Sequence, residues 1–215
     1  MIIELVGPPS SGKTTFIKNL KKLNNSNLVF REDFQKNSFL YFFKFSNLKI
    51  IFVIYIKIFL LKELSFKNKM FYSKHLSKKI ILMNSYDSES EIFVPDEGMV
   101  NIYLSILSIH KVSIYKIVKP ILNQHNYFCI FIDVNSSTLN KRLQDRGFPR
   151  GWNERKIIND SMNKFEKFFQ IQQKFKLEYF ALKEKVEIKI NFFEVDNNLE
   201  VNSGLKKVIS IIKNI

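Results

Sequence analysis

Gly7-Pro8-Pro9-Ser10-Ser11-Gly12-Lys13-Thr14, followed by Thr15, is the stretch on which the fold of this chain turns. It fits the pattern G-x-x-x-x-G-K-[ST] at every fixed position. The spacing has a physical reason. Gly7 lets the chain turn sharply, and Gly12 lets backbone N–H groups approach an anion with no Cβ in the way. The flanking residues supply the context the pattern needs. Met1 to Val6 is a short apolar run, and Thr14 to Leu23 sets Phe16, Ile17, Leu20 and Leu23 on one helical face. In a strand–turn–helix unit the helix's unpaired N–H groups and positive dipole end face the anion. Gly7, Ser10, Ser11, Gly12, Lys13, Thr14 and Thr15 are therefore the candidate contacts to a nucleoside triphosphate. Lys13 would reach the β- and γ-phosphates, and the Thr14 hydroxyl would ligate Mg²⁺. ATP and Mg²⁺ are the expected cofactors.

Beyond this unit, Asn27 to Phe30 reads as a second strand that ends in Arg31-Glu32-Asp33. Ser38 to about Met83 has a helical pattern with no Gly or Pro to interrupt it. Ile92 to Val94 is a third strand, ending at Pro95-Asp96-Glu97-Gly98, where proline is acceptable because the ladder stops there. Val100 to Leu122 is mostly helical, and Phe128 to Val134 is a fourth strand. Ser136 to Arg146 is a helix, 147–151 a loop, and Asn153 to Lys183 a long helix. Val186 to Val195 makes a fifth strand, and Ser203 is expected to cap a last helix through Lys213. Strands alternating with helices predict an α/β fold: three layers, with a mainly parallel five-stranded sheet between helices. The expected organisation is one domain over 1–215, with a helical acceptor-side insert at about 36–85 and an arginine lid at about 142–156.

Carboxylates follow two of the strands. Asp96 is the natural Mg²⁺ carboxylate, with Glu97 beside it as a candidate acceptor contact. In a parallel sheet the loop carrying Glu32 and Asp33 lies on the same edge as the phosphate loop. A carboxylate there could take a proton from an acceptor hydroxyl, and Arg31 could hold an anionic group on the acceptor. A turn, a helix cap or a surface ion-pair triplet are the plain structural alternatives for these acids.

The charge of +14 is mostly lysine: of 34 basic residues only five are arginine, which leaves 29 lysines. Lys, Asn, Ile and Phe all have AT-rich codons, so coding bias explains much of this, and solvated lysines on helix faces account for it without a nucleic-acid or membrane partner. Arginine is distributed differently. Arg142, Arg146, Arg150 and Arg155 fall within fourteen residues, and planar guanidinium forks suit bidentate phosphate contacts. Arg142 and Arg146 share a helix face, and Arg150 lies across the Gly147-Phe148-Pro149 turn. Such a segment could close over the γ-phosphate, exclude water and stabilise the charge of the transferring group.

Cys129, the single cysteine, cannot form an internal disulfide, which fits a reducing, cytoplasmic setting. Residues 2–6 are too few for a signal-peptide core. Ile50 to Leu61 is apolar but shorter than the roughly 20 residues of a membrane span, so a buried helix or helical flap is expected.

The order of these parts resembles the nucleoside-monophosphate kinase superfamily of P-loop kinases, with thymidylate kinase the nearest relative. Ile132-Asp133-Val134, followed by Leu139, Arg142 and Arg146-Gly147, looks like that family's strand-to-lid passage. Val195-Asp196 falls where its last loop approaches adenine, so the resemblance implies that Asp196, with Arg142, contacts the nucleotide. Two positions depart from the family. Asp33 replaces the proline of its Arg-Glu-Pro segment, and Asp96-Glu97-Gly98 lacks the arginine that grips the acceptor's phosphate. The resemblance thus implies ATP and Mg²⁺ use but not thymidylate as acceptor. The expected activity is transfer of the γ-phosphoryl group to a small-molecule acceptor: a nucleotide, nucleoside or sugar-like compound. A nucleic-acid end as acceptor, and a nucleotide-hydrolysing regulatory protein with no acceptor, are the alternatives. A homodimer is compatible with either.

Overall fold

Five apolar runs pair side by side into one parallel sheet of order β2-β3-β1-β4-β5. They are β1 (Ile2–Val6), β2 (Leu28–Phe30), β3 (Ile92–Val94), β4 (Tyr127–Asp133) and β5 (Ile190–Asp196). This computed structural model describes residues 1–22, 27–30, 45–84, 91–146, 164–185, 189–198 and 201–214. Eight helices lie among them: α1 (Lys13–Lys22), α2 (Phe45–Phe59), α3 (Phe66–Asn84), α4 (Met99–His110), α5 (Tyr115–Leu122), α6 (Ser136–Arg146), α7 (Lys164–Lys183) and α8 (Val201–Lys213).

The central strands are buried on both faces, as a parallel sheet covered by helices requires. Alternation along each strand divides the core. Ile2, Val6, Cys129 and Phe131 face one layer, where Ile54, Ile58, Tyr72, Leu76, Ile80, Val100, Leu104, Val118 and Tyr179 pack. Ile3, Leu5, Ile130 and Ile132 face the other, against Phe16, Ile17 and Leu20 of α1 and Val208 and Ile212 of α8. Strand β1 runs in register with β4 from Ile2↔Tyr127 to Val6↔Phe131, and meets β3 at Ile2↔Phe93. Its two neighbours therefore come from later segments of chain on opposite sides. That reversal opens a crevice at the carboxyl end of β1, where Gly7 begins the loop.

The strands expected from sequence all form, with ends shifted by a few residues. The long 38–83 helical pattern is two helices where the structure describes it. Ser65 accepts a hydrogen bond at Oγ from Asn68 N–H (3.4 Å), the N-cap contact that starts α3. Lys69 Nζ donates to Phe59 O (2.8 Å) and satisfies a carbonyl at the end of α2. Val100 to Leu122 is also divided, at Lys111, whose left-handed backbone (φ 58) lets its N–H cap α4 on Leu107 O. Ser203 is not the cap of the last helix: α8 begins two residues earlier, which puts Ser203 inside its first turn. Helix α2 buries Ile54 and Ile58 but leaves Phe52 (66%) and Ile56 (43%) exposed, so only one of its faces joins the core. No described helix is long and apolar enough to cross a membrane. Arg31, Glu32, Asp33 and Arg150 lie outside the described residues, as do most of the lid and the start of the insert.

Candidate functional site

Between β1 and α1 the loop 7–12 wraps back on itself: Ser11 N–H donates to Pro8 O (3.2 Å), and Phe16 N–H to Gly12 O (3.0 Å) as the helix begins. Two residues take positive φ, Ser10 (66°) and Gly12 (103°). At Gly12 a side chain would be strained, and its Cβ would stand 2.7 Å from Asn197 Nδ2. At Gly7 a Cβ would meet Ser11 Oγ at 2.7 Å and Ile132 O at 3.0 Å. Both glycines of the motif are thus required by close approach.

Lys13, the first residue of α1, folds over this loop. Its Nζ donates to Gly7 O (2.5 Å) and Pro8 O (2.9 Å). Burial pushes the ammonium down to about 8, with Glu97 and Glu4 pulling the other way. An ammonium held by neutral carbonyls in a desolvated place is suited to exchange them for phosphate oxygens.

Beyond Lys13 and Thr14 lies a cavity of about 360 Å³ between α3, α4 and the loop after β3. Asp96 and Glu97 line it, as do Phe71, Tyr72 and His75 of α3 and Asn101 and Ser105 of α4. The structure thus brings Lys13, Thr14, Asp96 and Glu97 to one space. Tyr72 Oη and His110 Nε2 are hydrogen-bonded (2.9 Å), and the rings of Phe71 and His75 lie 4.2 Å apart. Burial lowers the His75 imidazole below its usual value, so it is mainly neutral near pH 7.

What anchors α4, one wall of this cavity, is a carboxylate that sequence reasoning did not single out. Glu4, fully buried in β1, accepts from Val100 N–H at Oε2 (3.0 Å), from Asn101 N–H at Oε1 (2.7 Å), and from Tyr127 Oη. It therefore takes up donors at the start of α4, where a negative group is favoured. Burial nonetheless raises its pKa, against those hydrogen bonds and the charge of Lys79. Gly98 completes the arrangement, because a Cβ there would fall within the Glu4 carboxylate and 2.7 Å from Tyr127 Oη. A lone glutamate inside an otherwise apolar strand was the available signal.

On the far side of the loop the contacts are to carbonyls. Arg142 of α6 donates from Nη1 to Ser11 O (3.0 Å) and from Nη2 to Asn197 O (3.0 Å). Asn197 Nδ2 also reaches Ser11 O (2.8 Å), and Gln172 Nε2 of α7 reaches Pro9 O (3.0 Å). Arg142 therefore braces the loop against the turn after β5. Arg146 is the last residue of α6, one helical turn beyond Arg142. Asp196 is exposed, and its Oδ1 accepts from the N–H of Asn198 (2.8 Å). Asn197, one residue later, is the side chain that reaches Ser11 O. Its position in a polar turn gave no signal before the strands were assembled.

The donor set fits a triphosphate and a magnesium ion. Ser11 Oγ and Asn197 Oδ1 are buried with no hydrogen-bond partner among the described residues, beside the loop a polar ligand would occupy. Thr14 and Asp96 both line the cavity, and Mg²⁺ needs only one or two protein oxygens, its shell being completed by water and phosphate.

No family model matches this sequence, and no curated protein matches it. Solved structures do match along its whole length. Deoxyadenosine kinase from M. mycoides with dCMP and dCDP bound is 13% identical, covers 100% of both chains and has a TM-score of 0.57. The dATP-bound form is 17% identical over 99% of this chain and 100% of that one (TM-score 0.54). The YorR protein of Bacillus subtilis, in complex with phosphorylated GDP, is 13% identical over 99% and 96% (TM-score 0.52). These likenesses, with the loop at 7–14 and the sheet order, establish the fold: an all-parallel five-stranded sheet between helices, with the phosphate-loop motif after β1, as in these solved kinases. Among proteins of that fold the chain is similar to nucleoside kinases, and at these identities the likeness is one of fold.

Proposed function

We propose that the protein is an ATP-dependent phosphotransferase whose acceptor is a small, ring-bearing molecule with a free hydroxyl. One observation carries this reading: the cavity beside Lys13 and Thr14 is also lined by Asp96 and Glu97. A triphosphate on the loop would present its γ-phosphorus to whatever fills that space. The flat rings of Phe71, Tyr72 and His75 suit a flat or cyclic acceptor, and the solved deoxyadenosine kinase structures of the same fold hold nucleotides.

In the proposed reaction the backbone amides of 10–14 bind the β-phosphate, and Lys13 leaves the Gly7 and Pro8 carbonyls for the β- and γ-oxygens. The acceptor hydroxyl oxygen bonds to the γ-phosphorus as the β–γ bridging P–O bond breaks. Its proton passes to Glu97, and ADP departs. Thr14 and Asp96 would hold Mg²⁺, which neutralises charge on the phosphate oxygens. Arg146 and Arg150 would neutralise the transferring group, and Arg31, Glu32 and Asp33 would complete the acceptor side. The buried, unpaired Cys129 suits a reducing cytoplasmic compartment.

The test is a screen with γ-labelled ATP and Mg²⁺ against nucleosides, nucleotides and sugar derivatives. Label should appear on one acceptor class, and much faster than it is lost to water without acceptor. Rapid release to water that no acceptor changes would replace this reading with a hydrolase.

A further inference from the structure

Asn101 touches three parts of the molecule at once. Its backbone N–H is held by Glu4 Oε1 (2.7 Å), its Oδ1 accepts from Gly7 N–H (3.4 Å), and its Nδ2 donates to Glu97 Oε1 (3.0 Å). It is 5% exposed and forms part of the cavity wall. Resting on the phosphotransfer reading above, we propose that Asn101 is a positioning residue that sets the carboxylate of Glu97 at a fixed offset from the phosphate loop.

The chemistry of the amide makes this residue type specific. Its acceptor faces a backbone donor and its donor faces a carboxylate, so a flipped amide would set like against like on both sides. The anchor is rigid, because Glu4 takes up the N–H groups of Val100 and Asn101 at the start of α4, and Tyr127 ties the same carboxylate to β4. Glu97 itself lies in the short loop between β3 and α4. A tether from α4 removes rotamer freedom from its side chain before any acceptor arrives. Asn101 thus ties together the two halves of the site: the loop that would carry the donor phosphate and the acid that would meet the acceptor.

Asn101→Asp keeps an oxygen for Gly7 N–H and replaces the donor to Glu97 with an acceptor; it also brings a negative charge, which Asn101→Ala does not. Asn101→Ala removes both side-chain contacts. Each is combined with Glu97→Gln in a double-mutant cycle read as kcat and KM for transfer, alongside MgATP affinity by calorimetry and the thermal midpoint. Fixing a reacting group is worth orders of magnitude, so N101D should lower kcat by about 10- to 100-fold with MgATP affinity within about threefold of wild type. Added to E97Q, either change should cost less than about threefold, as two residues acting as one unit require. An N101D variant that transfers at the wild-type rate overturns the proposal. So does a cycle in which the losses multiply, or a loss that falls on MgATP affinity instead of kcat. A wild-type protein that binds MgATP yet transfers to no acceptor sinks the phosphotransfer reading and this inference with it. Multiplying losses in an active enzyme sink the inference alone.

Discussion

Lys13 illustrates how one residue's surroundings set its chemistry. The same side chain on a solvated helix would keep its ammonium well beyond neutral pH; here burial has brought it down to about 8. The direction of the pH effect follows. As pH rises through 8 the unliganded protein loses this proton, and the cation that a triphosphate needs goes with it. MgATP affinity should therefore fall above pH 8, and binding there should take up a proton, which calorimetry in buffers of different ionisation enthalpy will show. Stability of the unliganded protein is linked with the opposite sign: from 8 towards 10.5 the unfolded chain holds more protons than the folded one, so this group's contribution rises with pH. Lys13→Ala should reduce transfer by about a thousandfold or more with the fold intact, since charge stabilisation in phosphoryl transfer is of that size. Near-normal turnover would contradict the role given to it. Lys13 was legible in sequence because its motif is local. Glu4 and Asn101 were not, for the partners that give them meaning, Gly98 and Tyr127 for Glu4 and Gly7 for Asn101, are brought to them only by the sheet and the packing of α4.

At the scale of elements, two helix starts decide how the cavity is walled. Helix α4 begins against Glu4, with Gly98 as the residue whose missing Cβ leaves room for the carboxylate. Gly98→Ala should cost about 3 kcal/mol or more, the upper range for overpacking a filled site, because the displaced group is a buried acid with three donors on it. Urea unfolding measures it, and a loss under 1 kcal/mol would mean that the strut is less rigid than its contacts imply. Helix α3, which carries Phe71, Tyr72 and His75, starts at Ser65. Ser65→Ala should cost about 1 kcal/mol, the usual worth of an N-cap, with little effect on MgATP binding. That break was readable in principle: Leu64-Ser65 precedes an apolar-periodic run, as a cap does. The helical periodicity on both sides hid it, since a cap needs only one hydroxyl and no Gly or Pro.

For the molecule as a whole, the loop at 7–14 lies where β1, α1, α6, α7 and the turn after β5 converge, so a ligand there ties five elements together. At a hundredfold excess over its dissociation constant MgATP should stabilise the fold by about 2.7 kcal/mol, seen as a raised thermal midpoint. The K13A protein should show no such shift, and chelating magnesium should remove most of it. The phosphate loop, the five strands and their alternation with helices could be read from the residues alone, because these depend on short-range rules: glycine spacing, apolar runs and helical periodicity. Packing across the sheet set β1 between β3 and β4, brought Asp96 and Glu97 into one cavity with Lys13, and carried the Asn197 amide to the loop. It also turned Arg142 towards carbonyls. Those outcomes depend on which segments meet across the sheet, and the distance between two side chains remote in sequence is set by packing, which no local pattern encodes.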